Sequence, residues 1–482
     1  MQAPEHRELR AADLETVRDQ LGRDPTTPFT VVARCSAGHP LVICNAPFDV
    51  NGEPFPTMYW LTCPEAVRAV SRVEADGWIA RLNERVQLDE DFDAALEAAH
   101  RAYAAERGEM AEEARSWGGV AGTRTGVKCL HAHYAYHLAG GDDPVGAWMA
   151  GRVEPHEASH GRVAVIDQGT NSIRLLVAEP RGAEGGVGEG GVGGEPGFVE
   201  IARDLVITRL GERVDATGRL DPRALERTID VLARYCRRAR ALGAEVVHVA
   251  ATSAVRDAGD SREAYAAAVR EQAGSDLEVL TGEQEAALSF LGATAGLDPV
   301  DGPFLVLDIG GGSTELVTGA RPGRAEHMVS TQMGSVRLTE RHLRHDPPAP
   351  DELAAVEAEV RAVLEDAVGE VSVDGARTMV ACAGTPTTLQ AMSLGLTRYD
   401  PDRIHRTWLA REEVERILLE AARLPTTQLS ALPVMARGRG DVIVAGAVVL
   451  AAVMDGLGFD RALVSETDIL DGLALRQLGP GG

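Results

Sequence analysis

Two stretches of this chain set a carboxylate beside glycine and hydroxyl residues at one spacing. The first is VAVIDQGTNSIRLLV, residues 163–177; the second is FLVLDIGGGSTELVT, residues 304–318. Each is an apolar run, then D-x-G-x-x-S-x-x-L, then more apolar residues. Glycine lets a backbone approach a ligand closely, and successive N–H groups in such a turn form an anion-binding hollow. Gly169, Thr170, Asn171 and Ser172 are therefore one set of candidate phosphate ligands; Gly310, Gly311, Gly312, Ser313 and Thr314 are the other. Asp167 and Asp308 suit a Mg²⁺ ion held through water across a cleft between the loops. Two such loops, 141 positions apart, point to two related half-domains. A strand, not a helix, is expected after the second loop, which separates it from the dinucleotide-binding fingerprint.

The elements that must carry these loops can be read from periodicity. Residues 163–166 and 304–307 are short apolar runs that end at an acid, the pattern of a buried strand with a functional loop at its tip. A helix is expected over 221–242, where Asp221 can cap and Pro222 suits the first turn. Strands over 246–250 and 277–280 alternate with helices over 261–273 and 283–294, and further helices are expected near 350–368, 412–422 and 441–454. This alternation predicts an α/β fold. The glycine-rich stretch 181–197 cannot pack a core and reads as an enlarged hairpin loop. Residues 141–160 read as a linker. The expected division is an N-terminal domain over 1–140, half-domain I over 161–297 and half-domain II over 298–482.

Composition narrows the function. The 482 residues include 48 basic and 73 acidic side chains, a formal net charge of -25. A nucleic-acid binder usually presents a basic face, so that class loses weight. The 44% hydrophobic content argues against overall disorder. No apolar run is long enough to span a membrane, and the N-terminus reads as a charged amphipathic helix without a signal-peptide core. Six cysteines are too few for a disulfide framework, so reduced thiols and a cytoplasmic location are expected.

Further segments complete a recognisable series. They are ITRLGERVDATGRL at 207–220, ATSAVRDA at 251–258, TGEQEAALSFLG at 281–292 and QMGSVRLTERHL at 332–343. GTPTTLQAM at 384–392, RGDVIVAGAVVL at 439–450 and SETDILDGLA at 465–474 follow. Together with the two loops they resemble the exopolyphosphatase and guanosine-pentaphosphate phosphohydrolase branch of the actin, Hsp70 and sugar-kinase superfamily. The resemblance covers about residues 161–482. It implies a duplicated actin-like (ribonuclease H-like) fold with the active site between two half-domains. It also implies Mg²⁺-dependent hydrolysis (Mn²⁺ as a substitute) of the terminal phosphate of inorganic polyphosphate, with guanosine pentaphosphate (pppGpp) as the alternative substrate.

In families of this kind the second acid of the TGEQEA segment aligns the attacking water, which assigns that role to Glu285. Glu283 reads better as a first-turn acid complementing the helix dipole. The resemblance places Arg256 on phosphate, where a guanidinium can grip two oxygens, and Glu315 beside Asp167 and Asp308 at the metal. The third glycine segment, Gly384 to Thr388, is expected as a loop at the cleft floor. A homodimer is compatible with the resemblance. Gln168 and Gly440 depart from the usual residue types without removing a ligand. No helical metal-dependent phosphohydrolase module follows residue 482, so the short form of the family is expected. A kinase is disfavoured by TGEQEA and GTPTT; a non-catalytic polyphosphate or alarmone sensor is the alternative from another class.

The N-terminal segments, among them PFTVVARCSAGHPLVICNAP and GTRTGVKCLHAHYAYHLAGG, resemble an actinobacterial family of unknown function and yield no reaction. An α+β domain is expected. Cys35, His39, Cys44, Cys63, His100, Cys129, His131 and His133 are enough ligands for zinc, but their spacings match no finger or ribbon. Buried thiols and ordinary histidines are the plainer account. Lys128 and Arg124 are candidates for binding an anion.

Overall fold

The computed structural model describes residues 5–6, 11–35, 38–153, 161–181, 197–371, 373 and 375–479. Fifteen strands are found among them. The N-terminal four are β1 (Glu5–His6), β2 (Phe29–Arg34), β3 (Pro40–Asn45) and β4 (Tyr59–Leu61). The next five are β5 (Val163–Gln168), β6 (Ser172–Pro180), β7 (Phe198–Ile207), β8 (Val246–Ala251) and β9 (Leu277–Val279). The last six are β10 (Phe304–Ile309), β11 (Thr314–Gly319), β12 (His327–Thr331), β13 (Thr378–Cys382), β14 (Thr407–Ala410) and β15 (Arg461–Val464).

The duplication is visible in the topology. One sheet runs β7-β6-β5-β8-β9 and the other β12-β11-β10-β13-β15. In both, an antiparallel meander of three strands continues into two parallel strands. This is the ribonuclease H-like unit of an actin-like fold, present twice. β1 extends the first sheet beyond β7, and β14 extends the second beyond β15, each antiparallel. β5 and β10 are buried along their whole length, as their apolar runs require.

Two helices lie between the sheets. Helix Gly282–Thr294 packs on β10, β11 and β12, and helix Ile469–Leu478 packs on β5 and β6. They approach each other through glycine. A Cβ on Gly292 would stand 1.8 Å from the Asp468 carbonyl oxygen, and one on Gly472 would stand 2.1 Å from that of Leu288. Only hydrogen at those positions lets the backbones come so close.

The N-terminal domain is a three-stranded antiparallel sheet, β2-β3-β4, covered by helices. Tyr59 stacks on Tyr136, and both meet Tyr103 edge-on. β2 packs against β7, and helix Leu130–Leu138 packs against helix Pro222–Ala241 of half-domain I. One apolar core therefore runs from Val42 and Tyr103 through Leu138 to Tyr235 and Val249. Arg238 reaches into this boundary, 1% exposed, and pairs with Asp204.

Two expectations need amendment. The stretch 141–160 contains a helix, Pro144–Ala150, with Val145 and Met149 buried. Its Asp-Pro start is a cap and first-turn proline, Asp143 accepting from the Val145 and Gly146 N–H groups, rather than linker chemistry. Residues 154–160 lie outside the described residues. So does the glycine-rich insertion over 182–196, although its flanks pair as expected, Pro180 opposite Phe198. The GTPTT segment is not a loop: it opens helix Gly384–Ser393.

Gly472→Ala and Gly292→Ala should each destabilise the fold by at least about 2 kcal/mol, because the added methyl meets backbone that cannot yield. Urea unfolding monitored by circular dichroism measures this. A loss below 0.5 kcal/mol, on the order of a neutral surface change, would contradict the close crossing.

Candidate active site

The two glycine loops meet face to face. Each is closed by the same bond: the Gly169 N–H donates to the Ser172 carbonyl (2.9 Å), and Gly310 N–H to that of Ser313 (3.0 Å). A Cβ on Gly312 would lie 2.5 Å from Thr170 Oγ1 and 2.6 Å from Ser253 Oγ, and one on Gly311 would lie 3.2 Å from Thr170 Cβ. The glycines thus permit both backbone curvature and contact between half-domains. Between the loops is a cavity of about 110 Å³ lined by Asp167, Asn171, Ser172, Glu285, Asp308 and Ser313, among others. A second cavity of about 470 Å³ adjoins it and shares Arg174, Gly384 and Arg439 with it; Arg203 and Arg437 line its far part.

The strand register explains the electrostatics. In half-domain I, Asp167 stands opposite Arg174; at the equivalent places in half-domain II, Asp308 stands opposite Glu315. Arg174 bonds Asp167 Oδ2 at 2.6 Å and also bonds Asp468, at the start of helix Ile469–Leu478. Asp167 Oδ1 is buried with no hydrogen-bond partner. Glu315 has no such counter-charge across the strand and accepts from Ser330 Oγ at 2.7 Å. Asp308 accepts from Ser289 Oγ at 2.5 Å.

Glu285 is only 7% exposed, whereas Glu283, two residues earlier, is exposed. Thr281 caps the helix and Gln284 completes a capping box, which fixes the first turn. Arg256 Nη1 donates to Glu285 Oε2 (3.0 Å) and to the Leu280 carbonyl (2.9 Å). Burial pushes the Glu285 carboxyl up to about 7 against the pull of Arg256. Burial also raises Asp308, to about 6, with Asp468 adding repulsion. Glu315 is held well above the usual carboxylate range by burial and by Glu285 and Asp308.

Most of the expected site residues gather here, with three adjustments. Thr314 is turned away from the cavity, its hydroxyl donating to the Met333 carbonyl. Arg256 lines neither cavity and is committed to Glu285. Glu315 lies behind Ser313, not on the cavity wall. Four residues were not singled out: Arg174, Ser289, Arg439 and Asp468. Arg174 stands seven positions after Asp167, the offset of Glu315 from Asp308. Ser289 stands one helical turn after Glu285. Those two spacings were available signals; the placement of Asp468 needed the tertiary fold.

The cavity carboxylates do not form a ready-made cage. Among the described residues, the His, Cys, Asp and Glu side chains that bring three ligand atoms within 4.8 Å of one another are Glu74, Cys129 and His131. The cleft acids instead suit a divalent cation that keeps waters and takes phosphate oxygens, a kind of site seldom enclosed by protein alone. The partnerless Asp167 Oδ1 and the raised carboxyls mark where a cation would be welcome.

A cleft of this kind between two ribonuclease H-like halves defines a phosphate-handling protein of the actin-like class. The Ppx/GppA phosphatase family model matches residues 191–479, and a family of unknown function, DUF501, matches residues 31–151. The chain therefore belongs to the Ppx/GppA phosphatase family and carries a separate DUF501 domain. It is 41% identical over 327 residues to Exopolyphosphatase 2 of Mycobacterium tuberculosis, covering 66% of this chain and 99% of that one. Exopolyphosphatase 1 of the same organism is 29% identical, covering 66% and 88%. Among solved structures, an exopolyphosphatase-like protein superposes with TM-score 0.59 at 34% identity, over 65% of this chain and 97% of that one. The Ppx/GppA family member of Aquifex aeolicus superposes with TM-score 0.55 at 29% identity, over 66% and 97%. No described helix is long and apolar enough to cross a membrane.

Arg174→Met should cost about 3 kcal/mol, because it strands two buried carboxylates; urea unfolding checks it. A pH dependence also follows for the protein in chelator. A carboxyl whose pKa is higher folded than unfolded contributes stability that is complete below about 4.5 and is lost as the pH rises to about 7. The thermal midpoint of the wild type should therefore drop relative to Glu285→Gln across that window. A constant difference between the two proteins would refute the raised carboxyl.

Proposed function

We propose that the chain is an exopolyphosphatase that hydrolyses the terminal phosphoanhydride of inorganic polyphosphate. The observation that carries this reading is the pair of adjoining cavities. The smaller, acid-lined one fits a single terminal phosphate with its water and metal. The larger one, whose walls carry Arg174, Arg203, Arg437 and Arg439 against Asp204, Glu466 and Asp468, suits the trailing polyanion.

Water attacks the terminal phosphorus in line, the anhydride P–O bond breaks, and orthophosphate and a chain shorter by one unit are released. Glu285 aligns that water and takes its proton; a carboxyl near neutrality is well matched to the task. Arg256 is a positioning residue, holding Glu285 through the 3.0 Å bond. Asn171, Ser172, Ser313 and the glycine-loop backbones embrace the phosphate. Asp167 and Asp308 would hold Mg²⁺, with Glu315 behind them adding negative potential. When bound, that ion offsets the phosphate charge and polarises the reacting group. Phosphoanhydride hydrolysis asks little else of a protein than position and charge.

A second substrate is favoured by one observation. Tyr399, Pro433, Val434 and Met435 give the larger cavity an apolar wall that polyphosphate does not need. A guanosine base could rest there, with the 5′-phosphates of pppGpp entering the small cavity.

Glu285→Gln should lower kcat by about 10²- to 10⁴-fold, the usual value of a general base, with the fold intact. Phosphate release from short polyphosphate, long polyphosphate and pppGpp, with Mg²⁺ and with chelator, checks this and ranks the substrates. Undiminished release by the variant would remove Glu285 from the mechanism. No release from any substrate by wild type would favour a sensor.

A further inference from the structure

Away from the cleft, three residues of the N-terminal domain converge on one point. Glu74 lies in the last turn of helix Pro64–Ala75, Cys129 caps helix Leu130–Leu138, and His131 is in its first turn. Their ligand atoms all lie within 4.8 Å of one another, at partly exposed positions. We propose that Glu74, Cys129 and His131 form a binding site for a zinc-type divalent cation, with water completing the coordination.

The histidine tautomer is the strongest argument. His131 Nε2 lies 3.1 Å from Ser71 Oγ and 3.2 Å from the Val67 carbonyl oxygen; that carbonyl can only accept, so a hydrogen bond to it puts a ring proton on Nε2. In the neutral ring, Nδ1 is then a lone pair. That lone pair faces Glu74 Oε1 at 3.2 Å and Cys129 Sγ at 4.0 Å. Two acceptors and a sulfur looking at one another need a cation between them, either a proton or a metal. A backbone carbonyl on the far ring nitrogen is the usual outer support of a metal-binding histidine. Glu74 has support of the same kind, its Oε1 accepting from the Leu130 N–H at 2.7 Å.

The distances suit zinc. Tetrahedral bonds of about 2.0 Å to oxygen and nitrogen and about 2.3 Å to sulfur place ligand atoms about 3.3 Å (N to O) and about 3.6 Å (N to S) apart. The observed 3.2 Å from Nδ1 to Oε1 already matches, and the 4.0 Å from Nδ1 to Sγ calls for an inward movement of the thiol. A thiolate and an imidazole select zinc over magnesium or calcium. Three protein ligands leave a fourth position for water, the arrangement of zinc sites that exchange ligands.

A Cys-His-Glu hydrolytic triad is a poorer account. Such a triad needs the thiol and the acid on opposite ring nitrogens, whereas both face Nδ1. Other candidate ligands of this domain are held apart from this point, although His133 Nε2 is itself buried without a partner. His100 Nε2 donates to the Gly126 carbonyl and its Nδ1 accepts from the Val120 N–H; His133 Nδ1 bonds Asp143. Cys35, Cys44 and Cys63 are buried thiols.

Titration of the purified full chain with Co²⁺ is the test. One equivalent should give intense visible bands and a thiolate-to-cobalt band in the near ultraviolet, and Zn²⁺ should displace it. Cys129→Ser should lose the thiolate band. Glu74→Gln should keep it with at least about tenfold weaker affinity. Cys35→Ala should match wild type, and circular dichroism should show each variant folded. Absence of the thiolate band in wild type would overturn the site, as would its persistence in Cys129→Ser. Should Cys129→Ser not fold, unchanged affinity in Glu74→Gln would overturn it equally.

Discussion

The structure depends on a broken symmetry of charge. Two copies of one strand-turn-strand unit supply Asp167 and Asp308 at equivalent places, and the register then sets Arg174 opposite one and Glu315 opposite the other. Half-domain I is locally neutralised; half-domain II carries an uncompensated pair. Burial multiplies the difference, since charges in low dielectric interact far more strongly than in water. A chain with net charge -25 thus gathers its two glycine loops around acids rather than bases. On the proposed reading, arginines along the larger cavity receive the polyanion, and its reacting end relies on a cation drawn to the acids. Acidic proteins can handle polyanions when the positive charge is mobile and local.

Keeping such acids in place requires rigid supports. Glu285 and Asp468 sit at the starts of two helices that touch through Gly292 and Gly472. Each helix belongs to a different sheet, so the crossing couples the halves at the point where the carboxylates converge. The loops couple them again, Gly312 against Thr170 and Ser253. The catalytic geometry is held by backbone contacts as much as by side chains, which leaves fewer degrees of freedom to lose when substrate arrives.

Much of this was legible in the sequence, for identifiable reasons. Short buried strands ending in aspartate announce themselves, because a charge is tolerated there only if it has work to do. The D-x-G-x-x-S repeat revealed both halves, and the alternation after residue 220 located the helices closely. Arg174 was overlooked because it reads as an ordinary polar position on a strand; its meaning lies in register, which the pattern implies but does not display. Thr314 looked like a phosphate donor by its neighbours, yet one step along a strand turns a side chain to the other face. Arg256 was expected on substrate and is held by Glu285, a partner 29 residues away that only the tertiary fold provides. In the N-terminal domain, the cysteines and histidines were numerous enough for a metal, but buried thiols and ordinary histidines were the plainer account. Glu74, 55 residues before Cys129, supplied no signal, because a glutamate near a helix end is common.

The shared core at the domain boundary has a consequence for how the two parts came to share a chain. Domains joined by a tether can be exchanged like beads. Here β1 completes the edge of the half-domain I sheet, β2 lies on β7, and Arg238 is sealed within the joint. The strand that receives β1 is the neighbour of β6, whose first residue is Ser172. The N-terminal segment that carries β1 is thereby two strands from the first glycine loop. The two parts share one packed core, so substitutions in contact across the joint are expected to affect stability together.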